Sequence, residues 1–227
     1  MKERCQDLNI LSMIQLPQPV VLDSWKQTED EKLSVMRSTI FDDVLIFTPR
    51  TFKDFRGCFF EFYNSNAYAE LDFNETFVQD NASVSAANVI RGLHYQWDKP
   101  MGKLIYVSQG EINDVIVDLR KNSKTFGHHQ ILNMDSKTKQ TLWVPGHYAH
   151  GFVSMANDTI VNYKCTAHYN QNAEAGVYPF DKDLNIQWTY LDGRYKFKAN
   201  EYSNRFILSA KDMRAGSFAD YYKASKF

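Results

Sequence analysis

From about Phe41 onward, short apolar runs alternate with clusters of turn-forming residues. Val44-Leu45-Ile46-Phe47 ends at Pro49, and Cys58-Phe59-Phe60-Glu61-Phe62-Tyr63 follows the Arg56-Gly57 turn. Further strand-like runs cover residues 76–79, 89–96, 103–108, 112–119, 141–144 and 160–169. Gly110 and the polar clusters at 121–125, 133–139 and 170–176 read as turns. Many short strands with no long helices between them predict an all-β fold, with a jelly-roll β-sandwich as the best single architecture. Residues 1–40 differ. Pro17 and Pro19 punctuate an apolar stretch, and the polar segment 24–36 carries Leu33 and Met36 at helical spacing. This predicts an N-terminal extension, 1–40, with one short helix, ahead of a domain spanning 41–227. The tail from Asn204 to Phe227 predicts another short helix.

Composition supports a large core. Of the 227 residues 15% are aromatic and only 23% charged, which argues against wholesale disorder. The formal net charge of −1 provides no basic field for nucleic acid, so an anionic ligand has to be held by local cations. Cys5, Cys58 and Cys165 are widely spaced and form no CxxC pair, which points to reduced thiols in a cytoplasmic protein. No apolar run approaches the roughly 20 residues needed to span a bilayer. The N-terminus has no signal-peptide pattern.

The chemistry concentrates in Arg91-Gly92-Leu93-His94-Tyr95-Gln96. Histidine moves protons near neutral pH, and arginine pairs with phosphate. By themselves these residues leave two readings at equal weight: acid–base chemistry on a phosphorylated substrate, or a core histidine beside a surface arginine. Arg91 and His94 have opposite parity, so a regular strand would send them to opposite faces. If both serve one site, the pleat is broken between them, with Gly92 the expected place.

Seven segments in order extend the pattern: DFRGCFFEFYN (54–64), TFVQDNASVS (76–85), VIRGLHYQ (89–96), GKLIYVSQGEINDVIVDLRKNSKTFG (102–127), LWVPGHYAHGF (142–152), NYKCTAHY (162–169) and LSAKD (208–212). From Phe41 to Asp212 the chain resembles the dTDP-4-dehydrorhamnose 3,5-epimerase family, cupin-type jelly rolls that act on nucleotide-linked 4-keto-6-deoxysugars. The resemblance implies a cofactor-independent, metal-free isomerase that epimerises C3, C5 or both. The C4 ketone acidifies the neighbouring protons. A base removes one, an enolate forms, and an acid returns a proton from the opposite face. It also implies a homodimer bound to a dTDP-, CDP- or GDP-sugar in deoxysugar and polysaccharide biosynthesis.

The family's roles carry over residue by residue. His94 matches the base, Asp212 its orienting carboxylate, Lys103 the cation near the enolate oxygen, and Tyr163 the general acid. On its own, Asp212 reads more naturally as a solvated acid at a helix start, Lys103 as a strand-start lysine, and Tyr163 as one half-buried strand tyrosine among 13. Arg56 and Arg91 match the diphosphate ligands. Gln79, Asp80 and Asn81 match substrate contacts. Phe52 and Glu61 match positions approaching the nucleobase end of the substrate, partly from a neighbouring subunit. His150 matches a second active-site histidine, and Glu174 and Lys211 match further substrate contacts. If residues 160–169 form a regular strand, Val161, Tyr163, Cys165, Ala167 and Tyr169 share one face. Tyr169 then lies roughly 20 Å beyond Tyr163, placed to stack on a nucleobase.

Departures cluster around the substrate: His168 replaces a common aromatic, Met101 a common glutamine and Ala82 a common histidine. Pro145-Gly146-His147-Tyr148-Ala149-His150-Gly151-Phe152 replaces the usual PEGFAHGF, and Pro179-Phe180-Asp181 the usual tryptophan before the late aspartate. Three other readings stand beside the epimerase: a metal cupin, a 3,4-ketoisomerase and a non-catalytic sugar-nucleotide-binding cupin. The metal reading lacks the His-x-His pattern, because Gln96 stands where the second histidine is needed.

Overall fold

A computed structural model describes residues 25–29 and 33–227. Two antiparallel sheets face each other. The larger contains β1 (Trp25–Glu29), β2 (Leu33–Ser38), β3 (Leu45–Pro49), β11 (Thr141–Val144), β8 (Lys103–Gln109), β13 (Thr159–Cys165) and β6 (Gln79–Ser85), in that spatial order. The smaller contains β10 (His129–Asp135), β9 (Glu111–Asp118), β12 (Tyr148–Ser154), β7 (Ile90–Gln96) and β14 (Glu174–Gly176). This is the expected all-β, cupin-type sandwich. Two hairpins project from it: β4 (Phe52–Asp54) with β5 (Gly57–Phe59), and β15 (Trp188–Asp192) with β16 (Tyr195–Ala199).

Burial on both faces of the smaller sheet explains its sequence. Along β9, Ile112 and Ile116 point between the sheets, where they pack with Ile46, Ile105, Leu142, Val161 and Phe152. Val115 and Val117 point outward beneath Trp188, Phe206, Phe218 and Tyr221 of the C-terminal segment. Such a strand is apolar on both faces and reads as a continuous hydrophobic run. Leu104, Trp143 and Phe47 form a third cluster with Tyr68 of α1 (Ser65–Ala69). The C-terminal segment holds α2 (Ala210–Met213) and α3 (Phe218–Lys223), each capped by a serine hydroxyl accepting a backbone N–H.

Several expectations shift. The helix expected within 24–36 is replaced by β1 and β2, and β2 pairs with β3 from Leu33↔Pro49 to Arg37↔Leu45. Leu33 and Val35 are buried, so the working period is two. The expected 160–169 strand ends at Cys165. Tyr169 therefore owes its position to the following turn, and strand alternation does not reach it. The turn expected at 133–139 begins inside β10, and the one expected at 170–176 ends in β14. The tail contains two short helices where one was expected.

Candidate active site

The break at Gly92 assembles the site. On β12, His150 lies directly opposite His94 and Phe152 opposite Arg91, with a register shift between them. Two residues, Gly92 and Leu93, thus face the single Gly151, which is the arrangement of a β-bulge. Because His150 and Phe152 share a face, the bulge turns Arg91 and His94 to that face as well, while Leu93 points into the outer core. Glycine is needed here: Gly92 has φ +121°, and an added Cβ would lie 2.6 Å from the Gly151 Cα.

At this end of the sandwich the apolar filling gives way to a cavity of about 600 Å³. Arg91, His94 and His150 line it from the smaller sheet; Asn81, Ser83, Lys103, Tyr163 and Cys165 line it from the larger one. The register explains the second wall. Lys103 pairs with Cys165, and Tyr163 pairs with both Ile105 and Asn81, so these side chains share the inward face.

Two histidine–carboxylate pairs stand on the first wall. His94 Nε2 lies 2.7 Å from Asp212 Oδ1 of α2. The His94 side chain is 32% exposed and that of Asp212 is 6% exposed. A bridge between Val89 and Ile207 lays the segment before α2 along the start of β7, which brings Asp212 across 118 residues of chain. Burial alone would raise the Asp212 carboxyl. Contacts with His94, Ser209 and the Gly92 backbone N–H outweigh it and hold the pKa below the ordinary carboxylate value. The second pair joins His150 Nε2 to Asp114 Oδ2, also at 2.7 Å, with side chains 5% and 0% exposed. His150 sits opposite Ile116 of β9, so Asp114 is its diagonal neighbour.

Opposite these pairs, burial raises the Tyr163 phenol well above its ordinary value, and a Ser83 hydroxyl 3.0 Å away works against that rise. Burial pushes the Lys103 ammonium down, offset in part by Cys165, Asp114 and Glu174. At the rim, Glu174 accepts from Tyr169 Oη at 2.8 Å and pairs with Lys211. Arg91 donates to Ser85 Oγ and to the Val84 carbonyl, both at 3.0 Å.

The cavity therefore gathers His94, Asp212, Lys103, Tyr163, Asn81, Arg91, His150, Tyr169, Glu174 and Lys211. It does not gather the other sequence candidates. Arg56 sits on the β4–β5 hairpin, 76% exposed and paired with Asp54. Phe52 and Glu61 line a separate cavity of about 280 Å³. Asp80 faces the opposite side of β6 from Asn81 and pairs with Lys164 at 2.9 Å. Gln79 accepts the Tyr169 backbone N–H at 2.9 Å. Among the departures, Met101 lines the cavity, whereas Ala82 and His168 line separate ones. Sequence reasoning overlooked Asp114 and Ser83. Asp114 is an acid inside the apolar run 112–119, and that misfit was its signal. Ser83 stands at even spacing from Asn81 and Ser85. Among the described residues, no three His, Cys, Asp or Glu side chains converge as a metal-ligand set.

Comparison with known proteins gives a consistent result. The sequence profile of the dTDP-4-dehydrorhamnose 3,5-epimerase family matches residues 38–220. The Salmonella typhimurium dTDP-4-dehydrorhamnose 3,5-epimerase is 41% identical over 160 residues, 70% of this chain and 87% of that protein. The Legionella pneumophila dTDP-6-deoxy-D-glucose-3,5-epimerase, solved with dTDP-4-keto-L-rhamnose, is 33% identical and superposes with a TM-score of 0.73 over 82% of this chain and 92% of its own. A 3'-monoepimerase from Streptomyces bikiniensis, solved with dTDP-quinovose, is 26% identical with a TM-score of 0.71 over 82% of this chain and 89% of its own. A bulged strand that turns a carboxylate-held histidine towards a tyrosine across the sandwich thus sits inside a chain that belongs to the dTDP-4-dehydrorhamnose 3,5-epimerase family.

Proposed function

We propose that this protein epimerises C3, C5 or both in a nucleotide-diphosphate-linked 4-keto-6-deoxysugar, without a cofactor. The observation that carries the reading is the opposition of the His94–Asp212 pair and Tyr163 across one cavity, with Lys103 on the same wall as Tyr163. His94 takes a proton from the carbon next to the C4 ketone, and its electron pair delocalises onto O4. Asp212 orients the imidazole and stabilises the cation it becomes. Lys103 places positive charge at O4, and Tyr163 returns a proton from the other face.

Arg91 binds the diphosphate from the cavity wall. Tyr169 offers its exposed ring to the nucleobase, with Gln79 fixing its backbone. Asn81, His150, Glu174 and Lys211 contact the sugar and its phosphates. Arg56, Phe52, Glu61 and Asp80 lie outside the cavity, so in this reading they act on the site of a second copy in a homodimer. Within the extension 1–40, β1 and β2 add to the larger sheet of the domain spanning 41–227. Among the described residues no helix is long and apolar enough to cross a membrane. We place the enzyme in cytoplasmic supply of deoxysugars for polysaccharides such as O-antigen. Epimerisation at C3 alone is the second reading, favoured by the likeness to the 3'-monoepimerase.

Incubation in D₂O with dTDP-, CDP- and GDP-linked 4-keto-6-deoxyhexoses, followed by NMR, tests the proposal. Deuterium at C3 or C5 with inversion of that centre is expected for one nucleotide. No exchange with any of the three would leave a binding protein.

A further inference from the structure

We propose that Ser83 is the positioning residue of the Tyr163 acid: its hydroxyl donates to the tyrosine oxygen, aims the phenolic proton into the cavity and holds the phenolate left after transfer. This rests on reading Tyr163 as the acid. Tyr163 lies directly opposite Asn81 in the β6–β13 ladder, so Ser83, two residues further along β6, is its diagonal neighbour on the same face. The two oxygens are 3.0 Å apart. Among the described residues, no other side chain hydrogen-bonds the Tyr163 hydroxyl.

Ser83 is the middle of an inward polar row. Asn81 Nδ2 reaches Cys165 Sγ at 3.6 Å, and Ser85 Oγ accepts from Arg91 Nε at 3.0 Å. Each member of the row engages a different residue of the site, which a strand serving only the apolar core would not require. The chemistry sets the direction of the bond. A phenol has one O–H, and an acid has to direct it at the substrate, so its neighbour must be the donor. In the transfer, the Tyr163 O–H breaks, a C–H bond forms at the enolate carbon, and the O–H electron pair stays on the phenolate. That anion arises in a half-buried site, where a hydrogen bond to the charged form counts for more than one to the neutral phenol.

Wild type, Ser83→Ala, Ser83→Thr and Tyr163→Phe are compared in D₂O with a dTDP-linked 4-keto-6-deoxyhexose, measuring deuterium uptake and formation of the inverted centre separately. Ser83→Ala is expected to retain His94-driven exchange while inversion falls roughly 10- to 100-fold. Ser83→Thr restores the hydroxyl and should restore the ratio of inversion to exchange. A wild-type ratio in Ser83→Ala overturns the proposal, as does an equal loss in both serine variants. If Tyr163→Phe inverts at the wild-type rate, the acid assignment itself falls, and the role of Ser83 with it. Loss in Tyr163→Phe with no change in Ser83→Ala removes Ser83 alone.

Discussion

His94–Asp212 and His150–Asp114 have the same composition and the same 2.7 Å separation, yet they are built for different work. The second joins neighbouring strands in the middle of the smaller sheet, and its side chains are 5% and 0% exposed. The first joins β7 to a helix 118 residues away, and a third of its histidine surface stays open to the cavity. A base must reach its substrate and release its proton again, which favours the open pair. A wholly buried pair resists disruption, because losing one partner leaves the other's polar group buried and unsatisfied. The pairs sit face to face across the β7–β12 ladder, so the difference arises from enclosure and not from location.

Substitutions separate the two. His94→Ala should lower kcat by ~10²–10⁴-fold with nucleotide binding largely intact, as measured by steady-state kinetics and calorimetry. His150→Ala should register mainly in stability: leaving the buried Asp114 carboxyl without its hydrogen-bond partner costs ~1–3 kcal/mol, read by denaturant titration. Comparable stability losses in the two variants would erase the distinction. Asp212→Asn removes the orienting charge and leaves its shape. It should slow turnover by more than tenfold while Asp114→Asn mostly lowers the melting temperature.

The last comparison brings in a third histidine. His129 of β10 is buried, and among the described residues no carboxylate pairs with it and its Nδ1 has no hydrogen-bond partner. Burial first, then His128, pushes its pKa down to about 4. Below its ordinary value of 6.5 the unfolded chain takes up a proton that the folded chain refuses. Stability is therefore full above pH 6.5 and falls towards pH 4, by ~3 kcal/mol from this group. His129→Leu should flatten that part of the melting-temperature profile. An unchanged slope would show that a buried histidine without a partner is no liability here.

Much of this was legible in the sequence. The runs at 44–47, 103–108, 112–119 and 141–144 became strands because their apolar residues serve a packed face. Gly92 was legible through parity: Arg91 and His94 can share a face only if the pleat breaks. β6 was misplaced towards 76–79 because its own residues, Gln-Asp-Asn-Ala-Ser-Val-Ser, are polar on the cavity side, and a strand lining a site loses its hydrophobic signature. The Asp212 pairing came from family resemblance alone, since no periodicity spans 118 residues. Neither β1 nor β2 was read, because two apolar residues three apart imitate a helical turn. Asp114 was passed over because the surrounding valines and isoleucines dominated the reading.

The central claim is that the open pair, and not the closed one, takes the proton. Deuterium uptake from D₂O into a dTDP-linked 4-keto-6-deoxyhexose, compared between folded His94→Ala and His150→Ala at saturating substrate, tests it most directly. The account predicts no uptake above background for His94→Ala and measurable uptake for His150→Ala. Uptake at the wild-type rate by His94→Ala would contradict it.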